Sequence, residues 1–314
     1  PLRQSPVEIT FYPIDESLRP DWEACGRLAA AAPPDLFLQV HYFGFAAALG
    51  DARAFCESHG AALIEDCAHV PAPAGAIGGA GDYVLYSLYK HFPIPDGGLL
   101  VIRRTADHTG QAVATAAEKV AEKVAEKVAA KAAETAKGGA PGWGCWAMKR
   151  LFQICLPAAA SHLGGAPALS FDDDPETVAL PETTALSRAA ARLLERLAGE
   201  TPRIAARRRE NEAALRRVFR DVPGLDPLFA EPDAGTAPYR AVFRTDTPER
   251  ASAYFDRLRN ARMAAETWPD LAPEVLAAPE LHRAAIALRR TTLAFPVHAH
   301  NSPARLVAAY GGVL

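Results

Sequence analysis

Apolar runs alternate with amphipathic stretches along the first hundred residues, in the rhythm strand, helix, strand, helix, strand. Asp21 can cap a helix through Trp22, Cys25 and Leu28, which Pro33-Pro34 breaks. Residues 36–42 then form an apolar run that reads as a strand ending at His41, Tyr42, Phe43 and Gly44. Residues 45–59 read as a helix closed by Gly60, and residues 61–64 as the next strand. That strand stops at Glu65, Asp66 and Cys67, with His69 just beyond, so charge gathers where the chain leaves the sheet. Residues 83–89 form another apolar run and deliver Ser87 and Lys90 in the same way, before Asp96-Gly97-Gly98 turns the chain into a strand over 99–102. The alternation implies an α/β fold with a mostly parallel central sheet flanked by helices. Near the start, VEITFYPID looks like a strand entering a turn.

The pattern changes after the sheet. Residues 117–137 repeat every four positions, with Val120, Val124 and Val128 in a narrow stripe, and read as an exposed helix or, alternatively, one that docks on a partner. The following PGWGCWAMKRLFQICLP is apolar and reads as packed at an interface or beneath that insert. Residues 183–197 and 202–219 read as long helices, with Arg207, Arg208 and Arg209 on a solvated or dimer-facing surface and phosphate binding as the other option. From about Ala237 the chain reads as small α+β structure, with a strand over 239–243, a helix over 248–260 and a strand over 293–297. The expected division is 1–185, a large domain with a helical insert near 113–137, and 186–314, long helices with a smaller C-terminal α+β domain. Because the chain opens on Pro1 almost directly into a strand pattern, the large domain is expected to lack an N-terminal segment.

Composition narrows the classes. The 314 residues are 49% hydrophobic, enough for a large core, and the net charge of -3 argues against nucleic acid or an anionic membrane as the main partner. Cys25, Cys56, Cys67, Cys145 and Cys155 show no CxxC pair, and an odd number fits a reduced, cytoplasmic protein. No apolar run approaches the roughly 18 residues of a membrane span, and no signal peptide is read at the start. Asp172, Asp173 and Asp174 beside Pro175 read as a solvated loop, and His298 and His300 lack metal-ligand spacing, so no metal is expected.

In open α/β sheets a ligand sits outside the carboxyl ends of the strands, where Asp66 and Lys90 would converge. A lysine that forms a Schiff base must lose its proton near neutral pH, and the Ser87 hydroxyl one turn earlier can hold an anionic group of the same ligand. Ser-x-x-Lys also marks some serine hydrolases, but their further motifs are not found. With Asp66 as partner the better fit is pyridoxal phosphate, whose aldehyde takes the amine and whose ring nitrogen needs an acid. His69, at the same strand end, is read as functional. GAIGGAG at 75–81 invites a dinucleotide reading, yet its glycines precede a strand instead of opening a helix, so it reads as a turn.

The order IEDCAH, GGAGDY, SLYK, PDGGLLV resembles the DegT/DnrJ/EryC1/StrS aminotransferases, fold-type I pyridoxal-phosphate enzymes that mostly aminate nucleotide-linked keto sugars. FYPIDESLRPD with VHYFG, ARRRENEAAL and LAFPVHA extend the resemblance over most of the chain. The resemblance implies Lys90 as the cofactor-bearing lysine, Asp66 on the pyridinium nitrogen, His69 near or over the ring and Ser87 on the phosphate. It also implies glutamate or glutamine as amino donor, a nucleotide-sugar acceptor, and a homodimer with sites at the interface. A catalytically inactive or N-terminally incomplete relative with a binding or regulatory role is the alternative, and a nicotinamide-dependent oxidoreductase a distant third.

Overall fold

Strands β1 (Leu36–Val40), β2 (Ala62–Cys67) and β3 (Tyr83–Ser87) run parallel, and β4 (Gly98–Ile102) returns antiparallel along β3. They belong to a computed structural model that describes residues 7–103 and 188–314. Helix α1 (Trp22–Ala31) precedes β1 and α2 (Gly50–His59) joins β1 to β2. Asp21 caps α1 by accepting from the Ala24 N–H at 3.0 Å, and Gly60 closes α2 in the left-handed conformation at φ 66°. Cys25, Phe37, Ala52, Cys56 and Leu63 form the core between these helices and the sheet.

Several boundaries differ from the sequence expectation, among them the run over 83–89, whose strand ends at Ser87. β1 ends at Val40 because residues Tyr42–Gly44 wind into a 3-10 turn in which Phe43 takes φ 54° and Gly44 φ 86°. The helix expected from Phe45 begins at Gly50. VEITFYPID adds no strand: Ile14 makes an isolated bridge with Pro20, while Tyr12 stacks on Phe37 at 4.8 Å and donates its hydroxyl to the Leu38 carbonyl at 2.8 Å. β2, finally, does not stop before its charged residues but runs through them to Cys67.

Glu65 explains that last difference. Its side chain is fully buried in the middle of β2. Oε2 accepts from the Gly78 N–H at 2.8 Å and from His41 Nε2 at 3.0 Å, and Oε1 accepts from the N–H groups of Ala80, at 2.6 Å, and Gly81. His41 Nδ1 accepts from the Ala47 N–H at 3.0 Å, so the ring proton sits on Nε2, facing the carboxylate. The glycine-rich loop therefore folds around the protein's own anion. Burial would raise the Glu65 carboxyl, but these four donors hold it down to about 2.

The rest of the described chain builds a second sheet from β5 (Leu225–Pro227), β6 (Arg240–Thr245), β7 (Glu266–Thr267) and β8 (Thr292–Pro296), antiparallel in the order β5-β6-β8-β7. Helices α3 (Arg188–Leu197), α4 (Thr201–Phe219), α5 (Pro248–Asn260), α6 (Pro273–Ala277), α7 (Arg283–Thr291) and α8 (Pro303–Tyr310) accompany it. Its core gathers Leu215, Phe219, Phe243, Leu258, Phe295 and Tyr310. A third cluster of Leu18, Phe43, Phe45, Val242, Trp268, Leu288 and Ala294 joins residues of both halves. Asn211 on α4 stitches the end of β8, donating to the carbonyls of His298 at 3.0 Å and Asn301 at 3.2 Å.

The arginine run does not form one surface. Arg207 pairs with Glu210 at 3.0 Å, but Arg208 is 2% exposed and donates to the Pro238 carbonyl at 3.1 Å, while Arg209 donates to that of Thr236. A helix turns its successive side chains about 100° apart, so three consecutive arginines cannot share a face. The repeat at 117–137, the tryptophan-bearing stretch after it and the acidic run at 172–174 lie outside the described residues. No helix among the described residues is long and apolar enough to cross a membrane.

Replacing Glu65 with Gln turns one acceptor into a donor facing donors. The Glu65→Gln variant is expected to lose about 3 kcal/mol of stability, read from the urea midpoint by far-UV circular dichroism.

Candidate functional site

The carboxyl ends of β2 and β3 carry the residues singled out by the sequence. Asp66 pairs in register with Leu85, and Ser87 lies two residues further along β3, so their side chains share one face of the sheet. That face is half-buried at Ile64, Asp66, Leu85 and Ser87, whereas Leu63, Glu65, Cys67, Val84 and Tyr86 on the other face are buried. Asp66 Oδ1 accepts from the Ala68 N–H at 2.8 Å. β3 runs directly into a 3-10 turn, Leu88–Lys90, which ends on the lysine. Lys90 Nζ lies 3.2 Å from His69 Nε2, so the lysine and the histidine meet.

His69 is clamped from three sides. Its Nδ1 accepts from the Phe43 N–H at 3.2 Å, its ring stacks on Tyr239 at 4.4 Å and 7°, and Phe43 lies at 5.7 Å. Burial first, then Lys90, Arg240 and Arg208, hold the imidazole down to about 3. Tyr239 immediately precedes β6, and its N–H donates to the Phe43 carbonyl at 2.7 Å, so the second sheet is tied to the first at this point.

Sequence reasoning missed the partners that the second sheet supplies. The Arg240 guanidinium lies 4.1 Å from the Tyr239 ring centroid and forms a bidentate pair with Glu266 at 2.7 and 2.8 Å. Arg208 stands 5.7 Å and Lys90 Nζ 5.8 Å from the same centroid. The Nε of Arg208 is buried and makes no hydrogen bond. Burial, then Arg240 and Arg208, hold His298 down to about 3, and burial, then Arg208, hold His91 down to about 2. Two guanidinium groups, the Lys90 side chain and the imidazoles of His69 and His91 thus surround one tyrosine. An anionic ligand suits such a setting. No local spacing announces Tyr239, Arg240 or His91, and Arg208 was signalled by a run read as surface, with phosphate binding as the other option, and by the ARRRENEAAL resemblance.

Two other constellations are structural. His41, Glu65 and Cys67 bring ligand-type atoms within 4.8 Å of one another, but both ring nitrogens of His41 and both oxygens of Glu65 are engaged in hydrogen bonds. Burial, with Glu65 and Asp66 beside it, pushes the Cys67 thiol up to about 12, so it offers no thiolate. The amides of GAIGGAG at Gly78, Ala80 and Gly81 point at Glu65 and are not offered to a dinucleotide.

Comparison with known proteins follows the same line. Residues 35–123 match the sequence model of the DegT/DnrJ/EryC1/StrS aminotransferase family. No curated protein matches the chain. Among solved structures, a DegT DnrJ EryC1 StrS aminotransferase from Brucella abortus shares 16% identity and a TM-score of 0.63, over 98% of this chain and 72% of that one. Helicobacter pylori PseC, an aminotransferase involved in the biosynthesis of pseudoaminic acid, shares 13% and 0.64, over 99% and 74%. A Streptococcus pneumoniae structure assigned as a sugar aminotransferase, in its PMP form, shares 13% and 0.60, over 98% and 76%. At these identities the likeness establishes the fold, and the sequence resemblance and the α/β class with a mostly parallel sheet are borne out.

The depressed histidines fix the acid side of the stability profile. Below pH 6.5 the unfolded chain binds protons at His69, His91 and His298 that the native state refuses, so stability falls with falling pH from that point toward about 3. Below 4.5 the loss steepens, because native Glu65 stays ionised down to about 2 while the unfolded carboxylate takes up protons. Urea midpoints taken from about pH 8 to about pH 4 are expected to be level at first and then to decline, and a level profile throughout would contradict the neutral-imidazole cluster.

Proposed function

The chain carries, over residues 35–123, the sequence signature of the DegT/DnrJ/EryC1/StrS aminotransferase family, and we propose that it is a pyridoxal-phosphate-dependent aminotransferase with Lys90 as its catalytic residue. The observation that carries this reading is the meeting of Lys90 and His69 at 3.2 Å, at the strand ends where Asp66 and Ser87 share one face. The residues present fit the cofactor: an amine for its aldehyde, a carboxylate for its ring nitrogen, a hydroxyl and nearby arginines for its anionic group. When bound, pyridoxal phosphate supplies an electrophilic carbon and a ring that takes up electrons. Asp66 would hold the group at its ring nitrogen, Ser87 at its phosphate and His69 beside it, and Lys90 would serve as the general acid and base of the exchange.

The amino donor is glutamate or glutamine and the acceptor a nucleotide-linked keto sugar. A sugar acceptor is supported by the Streptococcus pneumoniae structure, which is assigned as a sugar aminotransferase. The protein acts in the cytoplasm as a homodimer, with a large domain over 1–185 and the long helices and small domain over 186–314. The cluster of Lys90, Arg208 and Arg240 suits substrates that bring carboxylate or phosphate groups.

Adding pyridoxal phosphate to the purified protein is expected to give a visible absorption band that is absent from Lys90→Ala. Asp66→Asn is expected to weaken cofactor binding about tenfold or more, the size of one lost charge-assisted hydrogen bond. A parent protein that gives no band would overturn the enzyme reading in favour of a non-catalytic relative.

A further inference from the structure

We propose that the Arg240 guanidinium is the carboxylate-recognition site for the amino donor, and that Glu266 holds that place as an exchangeable stand-in until a ligand carboxylate takes it. The identity of the donor rests on the aminotransferase reading, whereas the exchange rests on contacts made by the chain alone. Arg240 is then a binding residue, and Glu266 the group that decides what can bind.

Strand register puts both side chains on the face of the second sheet that meets the first half of the chain. Arg240 lies opposite Pro296 and Val242 opposite Ala294, while Glu266 lies opposite Ala294 from the other side of β8. Side chains two residues apart on a strand share a face, so Arg240, Val242 and Glu266 point the same way. Val242 and Ala294 on that face pack with Phe43 and Phe45. Arg240 therefore reaches across β8 to Glu266, with its guanidinium 4.1 Å from the Tyr239 centroid.

The pairing already has the geometry of a bound ligand. Nε and one terminal nitrogen of Arg240 donate to the two Glu266 oxygens at 2.7 and 2.8 Å, the parallel fork in which an arginine takes a substrate carboxylate. The other terminal nitrogen donates to the Tyr239 carbonyl at 3.1 Å and so fixes the direction of the fork. Exposure separates the two partners, for the Arg240 side chain is 8% exposed and that of Glu266 53%. Glu266 stands on a two-residue strand at the edge of the sheet. A carboxylate already half in water loses little by turning away, but a buried guanidinium left behind would be an unpaired charge. The site can therefore change its anion and cannot stand empty, which admits a carboxylate and turns away a neutral group of the same shape.

Its place in the fold joins this fork to the lysine. Lys90 Nζ lies 5.8 Å from the same tyrosine centroid, so a short amino acid whose amino end reaches Lys90 can bring its far carboxylate to Arg240. Arg208, 5.7 Å from that centroid, donates to the carbonyls of Pro238 and Tyr239. Among the described residues, Glu266 is thus the one carboxylate bound to either guanidinium on this ring.

Calorimetric titration of the purified, cofactor-free protein with glutarate, which has the carboxylates of glutamate and no amine to react, tests the exchange. The Glu266→Gln variant is expected to bind glutarate about tenfold more tightly than the parent, because the competing carboxylate is gone. Adding Arg240→Lys to that variant is expected to cancel the gain, since an ammonium cannot present the fork. Glu16→Gln, which removes an exposed acid paired with Arg244 on the same strand, is expected to leave the affinity unchanged and so separates local exchange from net charge. A Glu266→Gln protein with a native circular dichroism spectrum and an unchanged or weaker glutarate affinity would overturn the proposal. So would a gain that survives Arg240→Lys or appears equally in Glu16→Gln. The two single acid variants decide the matter even where Arg240→Lys does not fold. Failure to bind pyridoxal phosphate would remove the aminotransferase reading and leave the glutarate result standing, whereas absence of exchange would remove this inference and leave that reading in place.

Discussion

A carboxylate with no access to water must find its donors inside the protein, and Glu65 imposes that condition on the whole first sheet. An unpaired charge at this depth would cost several kcal/mol, so the loop from Pro71 to Gly81 has to close over β2 and spend its amides there. The same closure sets where β3 begins, with Asp82 accepting from the Leu63 N–H at 2.7 Å and pairing with Arg53 at 3.0 Å. The alignment of β2 with β3 follows, and with it the side-by-side placement of Asp66 and Ser87. His41, on the neighbouring strand end, joins β1 to the same anion. Three strand ends are thereby registered by one buried charge.

The second sheet completes what the first can only begin. Lys90, Asp66 and His69 all come from the parallel sheet, but the ring against which His69 lies, and the guanidinium beyond that ring, come from the antiparallel one. The His69 imidazole, at 4.4 Å, and the Arg240 guanidinium, at 4.1 Å, both pack against the Tyr239 ring. Glu266, half exposed on the short edge strand, neutralises Arg240, while Arg208 remains buried with backbone carbonyls as its partners.

Much of the parallel sheet was legible because its signals are local. Apolar runs, the Asp21 cap and the Gly60 stop are read from neighbours in sequence, and the structure keeps each of them. Asp66 and Lys90 were legible for the same reason, as polar residues at the ends of apolar runs. Glu65 misled the reading because its donors lie 13 to 16 residues downstream, so a charge that signalled the end of a strand is instead its buried centre. Tyr239, Arg240 and Arg208 were not legible, since they reach the site only through a fold that brings together segments well over a hundred residues apart. The contact between His69 and the Phe43 amide depends on a left-handed residue, and no side-chain pattern encodes that.

The peptide units flanking Phe43 join the two sheets in an unusual way. The N–H on one side of this residue is bound to His69 and the carbonyl on the other is bound to the amide of Tyr239. The two sheets are thus tied through one strained residue, whose amide meets a side chain from the first and whose carbonyl meets the main chain at the start of the second, so a substitution at this turn would be felt on both sides of the site.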